Sequence, residues 1–230
     1  MKNIKFIFFD LDNTLLDHTY AEKIALLETF ENDLKEFIPA DFETFKSVYH
    51  EINTKLWSLY SQSKVTKDEV RLGRFRDSLK HFGKTDFDIQ NLWENYAKRY
   101  RMNWKPIEQS TEILSYLASK NYRMGIISNG FTELQKDKIL KMGWDNYFET
   151  TILSEEIGVQ KPDPKIFKSA LLASKVDVSD VVYIGDSYET DIIGAKNSGW
   201  KSIYFNPNGL ISEDSSVTSI FELNELKKYF

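Results

Sequence analysis

The 230-residue chain has no cysteine and only three histidines. Without a thiol there is no disulfide framework, no cysteine-based zinc site and no thiol nucleophile. His18, His50 and His81 show no metal-ligand spacing, so the ligands that zinc prefers are missing or scattered. No run of about 20 apolar residues occurs, so no segment is expected to span a membrane. The opening MKNIKFIFFDLDN meets acid too soon for a signal peptide, and a cytoplasmic protein is expected. The net charge of −5 comes without a basic block, so no nucleic-acid polymer is expected as a partner. What is present is an ordinary globular balance, 28% charged and 41% apolar. A chain of this length buries roughly 70% of its unfolded surface and needs no covalent staple.

The apolar period changes along the chain. IKFIFF at 4–9 is a short apolar run ending in acid, which predicts a buried strand. From 17 to 103 the pattern is helical only: Leu27, Phe30, Leu34 and Phe37 form one stripe, and Phe45, Tyr49, Ile52, Leu56 and Leu59 a second. Thr66 with Glu69 has capping-box spacing and opens a third helix carrying Leu72, Phe75, Leu79 and Phe82. Ile89, Leu92, Tyr96 and Tyr100 supply a fourth stripe. Trp57, Tyr60, Trp93, Tyr96, Tyr100 and Trp104 carry rings able to stack on a base, but helical spacing favours packing in the core.

Beyond Pro106 strands and helices alternate. Strands are expected at 122–128, 148–154, 181–186 and 201–206, and helices near 110–120, to Met142, from Asp163–Pro164 to Ser174, and near 189–198. The alternation predicts an α/β fold, a doubly wound parallel sheet of Rossmann type. The helical block interrupts it as an inserted all-helical domain, with residues 1–16 and 104–230 as core and 17–103 as insert.

In such a sheet ligands bind outside the carboxyl ends of the strands. Asp10 and Asp12 follow the first strand, Ser128-Asn129-Gly130 the second, Lys161-Pro-Asp-Pro comes after the third, and Asp186 with Asp191 follow the fourth. Four acids, a lysine and a hydroxyl are thus expected on one rim. Crowded carboxylates raise each other's pKa unless a cation separates them, so the Asp10–Asp12 pair predicts a divalent metal or a shared proton. Oxygen ligands beside a phosphate-binding turn suit magnesium, and a hydroxyl with backbone N–H groups at a helix start suits an anion.

DLDNT, SNG, KPDP and GDSYETD, in this order, resemble the four motifs of haloacid-dehalogenase-like hydrolases, and the insert stands where that family keeps a helical cap. The resemblance implies a magnesium-dependent phosphatase acting on a small phosphorylated metabolite. Asp10 would be the nucleophile that forms an aspartyl-phosphate. Asp12 would protonate the leaving group and then activate water, its backbone carbonyl also ligating magnesium. Thr14 would support the first motif at the phosphate site. Ser128 and Asn129 would hold phosphoryl oxygens, Lys161 would neutralise charge, Asp186 would ligate the metal directly, and Asp191 would do so directly or through the other ligands. The halide-removing members lack an acid two residues after the nucleophile, so Asp12 favours the phosphatases.

SEEIGVQKPDPKIF and GDSYETDIIGAKNSGWKSIYFNP look like the branch of nucleoside 5′-monophosphatases that prefer pyrimidines. Substrate choice is expected in the insert, as a lid beside the nucleophile turn. Alternatives are a sugar phosphomutase or another small-phosphate phosphatase of the same fold, with Asn13 where mutases often carry glycine. A phospho-receiver module is more distant, because its phosphorylated acid follows a later strand and it has no such insert. The motifs leave monomer and homodimer equally open.

Overall fold

The computed structural model describes residues 3–209 and 217–230. The chain divides into two compact units, one of residues Met1–Asp17 and Lys105–Phe230 and one of His18–Trp104.

The first unit is built on β1 (Phe6–Phe9), β2 (Arg123–Ser128), β3 (Thr150–Leu153), β4 (Val181–Gly185), β5 (Lys201–Phe205) and β6 (Thr218–Ile220). Among the described residues these form one sheet in the order β3-β2-β1-β4-β5-β6, with every pair parallel. The α/β fold with a parallel Rossmann-like sheet is therefore the observed one. β1 lies in the middle because both of its faces are apolar: all four of its residues are buried. Phe6 and Phe8 stack at 4.5 Å, and Phe8 meets Trp200 at 5.3 Å, which joins sheet to helix layer through one aromatic cluster. The chain winds outward from β1 through β2 to β3, then returns to place β4 on the other side of β1. That reversal leaves a crevice at the carboxyl ends of β1 and β4.

The second unit holds α1 (His18–Thr29), continued by a π-helical turn at Phe30–Leu34, then α2 (Phe42–Ser61), α3 (Lys67–His81) and α4 (Ile89–Met102). Asp41, Thr66 and Asp88 cap the starts of α2, α3 and α4 through their side chains. Phe45, Tyr49, Phe75, Leu79 and Tyr96 are buried at its centre, and the Arg74 guanidinium lies 4.9 Å from the Tyr96 ring centroid. Tyr96, Tyr100 and Trp104 pack inside this unit, as their helical spacing implies. Phe37 departs from its stripe: the π turn rotates it outward to 51% exposure, and Ile38 is buried next to it.

The remaining helices belong to the first unit: α5 (Ser110–Ser119), α6 (Thr132–Lys141), α7 (Ser154–Ile157), α8 (Pro164–Ser174) and α9 (Gly194–Asn197). α8 starts where Asp163 accepts from the Lys165 N–H at 2.8 Å with Pro164 at the first helical position. The helix expected near 189–198 opens instead as a π-helical stretch, Tyr188–Ile193, before α9. Strand β6 and the 3₁₀ turn at Leu223–Lys228 are additions to the sequence expectation. Among the described residues no helix is long and apolar enough to cross a membrane.

Candidate active site

The backbone N–H of Asp10 donates to the Ile184 carbonyl at 2.8 Å, so β1 pairing carries on to the residue that leaves the sheet. This fixes the Asp10 side chain at the crevice between β1 and β4, where it is 6% exposed. Gly185 ends β4 beside it, and Asp186 follows. The following π turn brings Asp191 back, with its carboxylate accepting from the Ser187 N–H at 3.0 Å. A Cβ on Gly185 would overlap that carboxylate, so only glycine permits the approach. Asp10, Asp186 and Asp191 each offer a carboxylate oxygen, and these oxygens lie within 4.8 Å of one another.

Lys161 reaches the same point from the loop after β3, through a cis peptide to Pro162. Its Nζ is 2.5 Å from Asp10 Oδ1 and 2.7 Å from Asp191 Oδ1, and it donates to the Tyr183 hydroxyl at 2.8 Å. The Tyr183 proton is shared between the Ile127 carbonyl at 3.0 Å and Asp191 Oδ1 at 3.3 Å. Burial pushes the Asp10 carboxyl well above the usual carboxylate range, and Asp191 and Asp186 push it further against the pull of Lys161. Burial, then the Asp191 charge, pushes Asp186 up to about 6. Lys161 is held above its ordinary value because Asp10 and Asp191 outweigh its own desolvation. Three acids with one lysine thus form a site short of positive charge. All its acidic donors are oxygens, the set a hard divalent cation takes, so the residues fit magnesium.

Thr14 and Asn129, both expected at the phosphate, bond to other residues of the site. Thr14 is fully buried, and its hydroxyl donates to Asp186 Oδ1 at 3.0 Å, which orients a carboxylate of the acidic group. Asn129 bonds the Lys161 backbone twice: its Oδ1 accepts from the Lys161 N–H at 2.7 Å and its Nδ2 donates to the Lys161 carbonyl at 3.0 Å. The amide side chain therefore clamps the lysine loop to the end of β2.

The Asp12 carboxylate lies outside the three-acid group and turns to α6. Lys138 Nζ donates to its Oδ1 at 2.6 Å and Oδ2 at 2.9 Å, and Gln135 Nε2 donates to Oδ2 at 2.9 Å. Gln135 Nε2 also lies 2.5 Å from Ser128 Oγ, and Lys138 donates to Gln135 Oε1 at 2.8 Å. Sequence reasoning missed both residues. The available signal was the spacing: Gln135 and Lys138 stand four and seven residues after Phe131, on one face of a helix, and a glutamine and a lysine on a face that packs inward need partners.

The sequence matches the family of haloacid dehalogenase-like hydrolases over residues 7–205. The chain belongs to that family. It is 35% identical over 207 residues to a glyceraldehyde 3-phosphate phosphatase of Pyrococcus abyssi, covering 88% of this chain and 81% of the relative. It is 31% identical over 227 residues to a pyrimidine 5′-nucleotidase of Escherichia coli, covering 96% of each. Among solved structures, the magnesium-bound putative HAD-hydrolase YfnB of Bacillus subtilis superposes with a TM-score of 0.83 at 28% identity, covering 99% of both chains.

Proposed function

We propose that this family member is a magnesium-dependent phosphomonoesterase that hydrolyses nucleoside 5′-monophosphates, pyrimidine before purine, through an aspartyl-phosphate on Asp10. The observation that carries the reading is the convergence of Asp10 with Lys161, Asp186 and Asp191 at one crevice. A buried carboxylate that meets a lysine is placed to act as a nucleophile, and carboxylates do form covalent phosphoryl intermediates.

Asp10, Asp186 and Asp191, with the Asp12 carbonyl, would hold magnesium. When bound it supplies positive charge that lets an anionic nucleophile approach an anionic phosphoryl group. The chain's own groups then act in order. An Asp10 oxygen bonds to phosphorus as the ester P–O bond breaks, and the leaving oxygen takes the Asp12 proton. Asp12, now a carboxylate, takes a proton from water. The resulting hydroxide attacks phosphorus and releases inorganic phosphate, restoring Asp10. Ser128, at the end of β2, offers its hydroxyl to a phosphoryl oxygen. Lys161 stabilises the negative charge gathered at the site. Thr14 and Asn129 act through Asp186 and Lys161, which they orient.

The nucleotidase reading is supported by similarity to the Escherichia coli pyrimidine 5′-nucleotidase. The 35% identity to the Pyrococcus abyssi enzyme favours a second reading, a phosphatase for a small sugar phosphate. Comparing kcat/KM for UMP, dUMP, dTMP, AMP and glyceraldehyde 3-phosphate with magnesium separates them. Pyrimidine nucleotides should lead. A triose phosphate ahead of every nucleotide by tenfold, about 1.4 kcal/mol of transition-state binding, overturns the nucleotidase reading and leaves the phosphatase.

A further inference from the structure

We propose that Lys138 and Gln135 are positioning residues that hold the Asp12 carboxylate in its acid–base position. This inference rests on the role given to Asp12 above. Asp12 leaves β1 on a tight turn whose backbone is fixed, with Asn13 donating to the Leu16 carbonyl at 2.7 Å. Its side chain is 25% exposed, and torsion about its own bonds can still turn it toward the Asp10 group or away from it. α6 removes that freedom. Lys138 holds both carboxylate oxygens and Gln135 holds one of them again.

The grip is itself rigid. The Lys138 side chain is 3% exposed, Gln135 is fully buried, and Lys138 donates to the Gln135 amide oxygen. The two lie three residues apart, on one face of α6. The N-terminus of α6 is fastened as well, because the Glu155 carboxylate of α7 accepts from the Thr132 N–H at 2.7 Å. Gln135 also packs where a Cβ on Gly130 would stand, so the glycine of the turn after β2 is the space this side chain uses.

One consequence follows from Gln135 Nε2 meeting Asp12 and Ser128 together. The acid–base group and the phosphoryl-binding hydroxyl are held in register by a single amide. A proton donor fixed relative to the phosphoryl group is the arrangement in which a near-attack geometry needs no further ordering.

The test separates positioning from general support of the fold. The phosphorylation step is measured in single turnover with magnesium, using UMP, an alkyl ester that needs its leaving oxygen protonated, and p-nitrophenyl phosphate, which does not. Lys138→Met and Gln135→Leu should slow the step with UMP at least about tenfold more than with p-nitrophenyl phosphate, within the range of general-acid assistance. Lys138→Arg, which keeps the charge and the donors, should recover part of the UMP rate. Asp12→Asn is run beside them, and Asp12→Asn with Lys138→Met should be no slower than Asp12→Asn alone. Equal slowing with both esters, or no slowing, in Lys138→Met while Asp12→Asn shows the split overturns the positioning role. Absence of the split in Asp12→Asn itself overturns the acid–base reading and this inference with it. If Lys138→Met fails to fold by circular dichroism, Lys138→Arg and Gln135→Leu carry the same comparison.

Discussion

Lys161 and Asp10 meet at 2.5 Å, although 151 residues separate them in sequence. Both side chains are nearly sealed from water, at 3% and 9% exposure. The lysine is the counter-charge that offsets part of the cost of burying these acids before any metal arrives. Removing one partner of a buried pair typically costs about 3–5 kcal/mol, because the other charge is left uncompensated. Lys161→Met should therefore lose turnover and also unfold at lower urea than the parent when metal is absent. Magnesium should recover much of the stability and none of the turnover. Equal stability of the two proteins in chelator would show that Lys161 does not carry the acidic group.

Asp10 and Asp12 are separable by their surroundings. Asp10 faces Lys161 and the two later acids, whereas Asp12 faces Lys138 and Gln135. Asp10→Asn should abolish phosphoenzyme and phosphate release with the fold intact. Asp12→Asn should slow turnover of an alkyl phosphate by about 10²–10⁴-fold and accumulate phosphoenzyme from an activated aryl ester. Acid-quench mass spectrometry reads both outcomes. Phosphoenzyme in Asp10→Asn would mean that another residue is the nucleophile.

The strand-end residues were legible because parallel-sheet topology carries them to one rim whatever the helices do. Asp10, Ser128, Lys161, Asp186 and Asp191 needed only the positions of β1, β2 and β4 and the loop after β3. Lys138 and Gln135 were not legible, because periodicity reads a buried helical stripe as core and does not reveal that its polar members face an acid on another strand. Asn129 and Thr14 show a related limit. Their side-chain types suit an anion, but their partners here, the Lys161 backbone and Asp186, are distant in sequence. β6 has three residues, too few for any alternation to register. The π turn ahead of α9 follows from Asp191 folding back onto the Ser187 N–H, with Ile192 donating to the Ser187 carbonyl five residues earlier.

Metal should act as a stabiliser as well as a cofactor. A ligand that binds only the folded state at a hundredfold its Kd adds about 2.7 kcal/mol. Burial and mutual repulsion raise Asp10 and Asp186, and a divalent cation relieves both. Magnesium should raise the thermal midpoint of the parent, and excess chelator should abolish phosphate release reversibly. Asp186→Asn should show a much smaller magnesium shift, as should Gly185→Ala, whose new methyl group displaces the Asp191 carboxylate. A full magnesium shift in Asp186→Asn would move the cation elsewhere.

The helical unit has its own titrating pair, Glu22 on α1 and His50 on α2, with His50 Nε2 3.4 Å from Glu22 Oε2. Burial alone would raise Glu22, but the His50 hydrogen bond and the charges of His18, His50 and Arg74 outweigh it and hold the carboxyl below its ordinary 4.5. The Glu22 hydrogen bond raises His50 above its ordinary 6.5, against desolvation and the nearby Lys46. The two signs bound a window. A raised histidine contributes stability that is complete below 6.5 and is lost as pH climbs through its folded value. A depressed carboxylate contributes stability that is complete above 4.5 and is lost as pH falls through its folded value. The pair should therefore stabilise the protein most between these two values. His50 is 47% exposed, so solvent screening keeps the effect small. His50→Gln should unfold at lower urea than the parent near pH 5.5, and the gap should close by pH 8.5. A gap that widened with pH would assign the histidine a role as a neutral packing group instead.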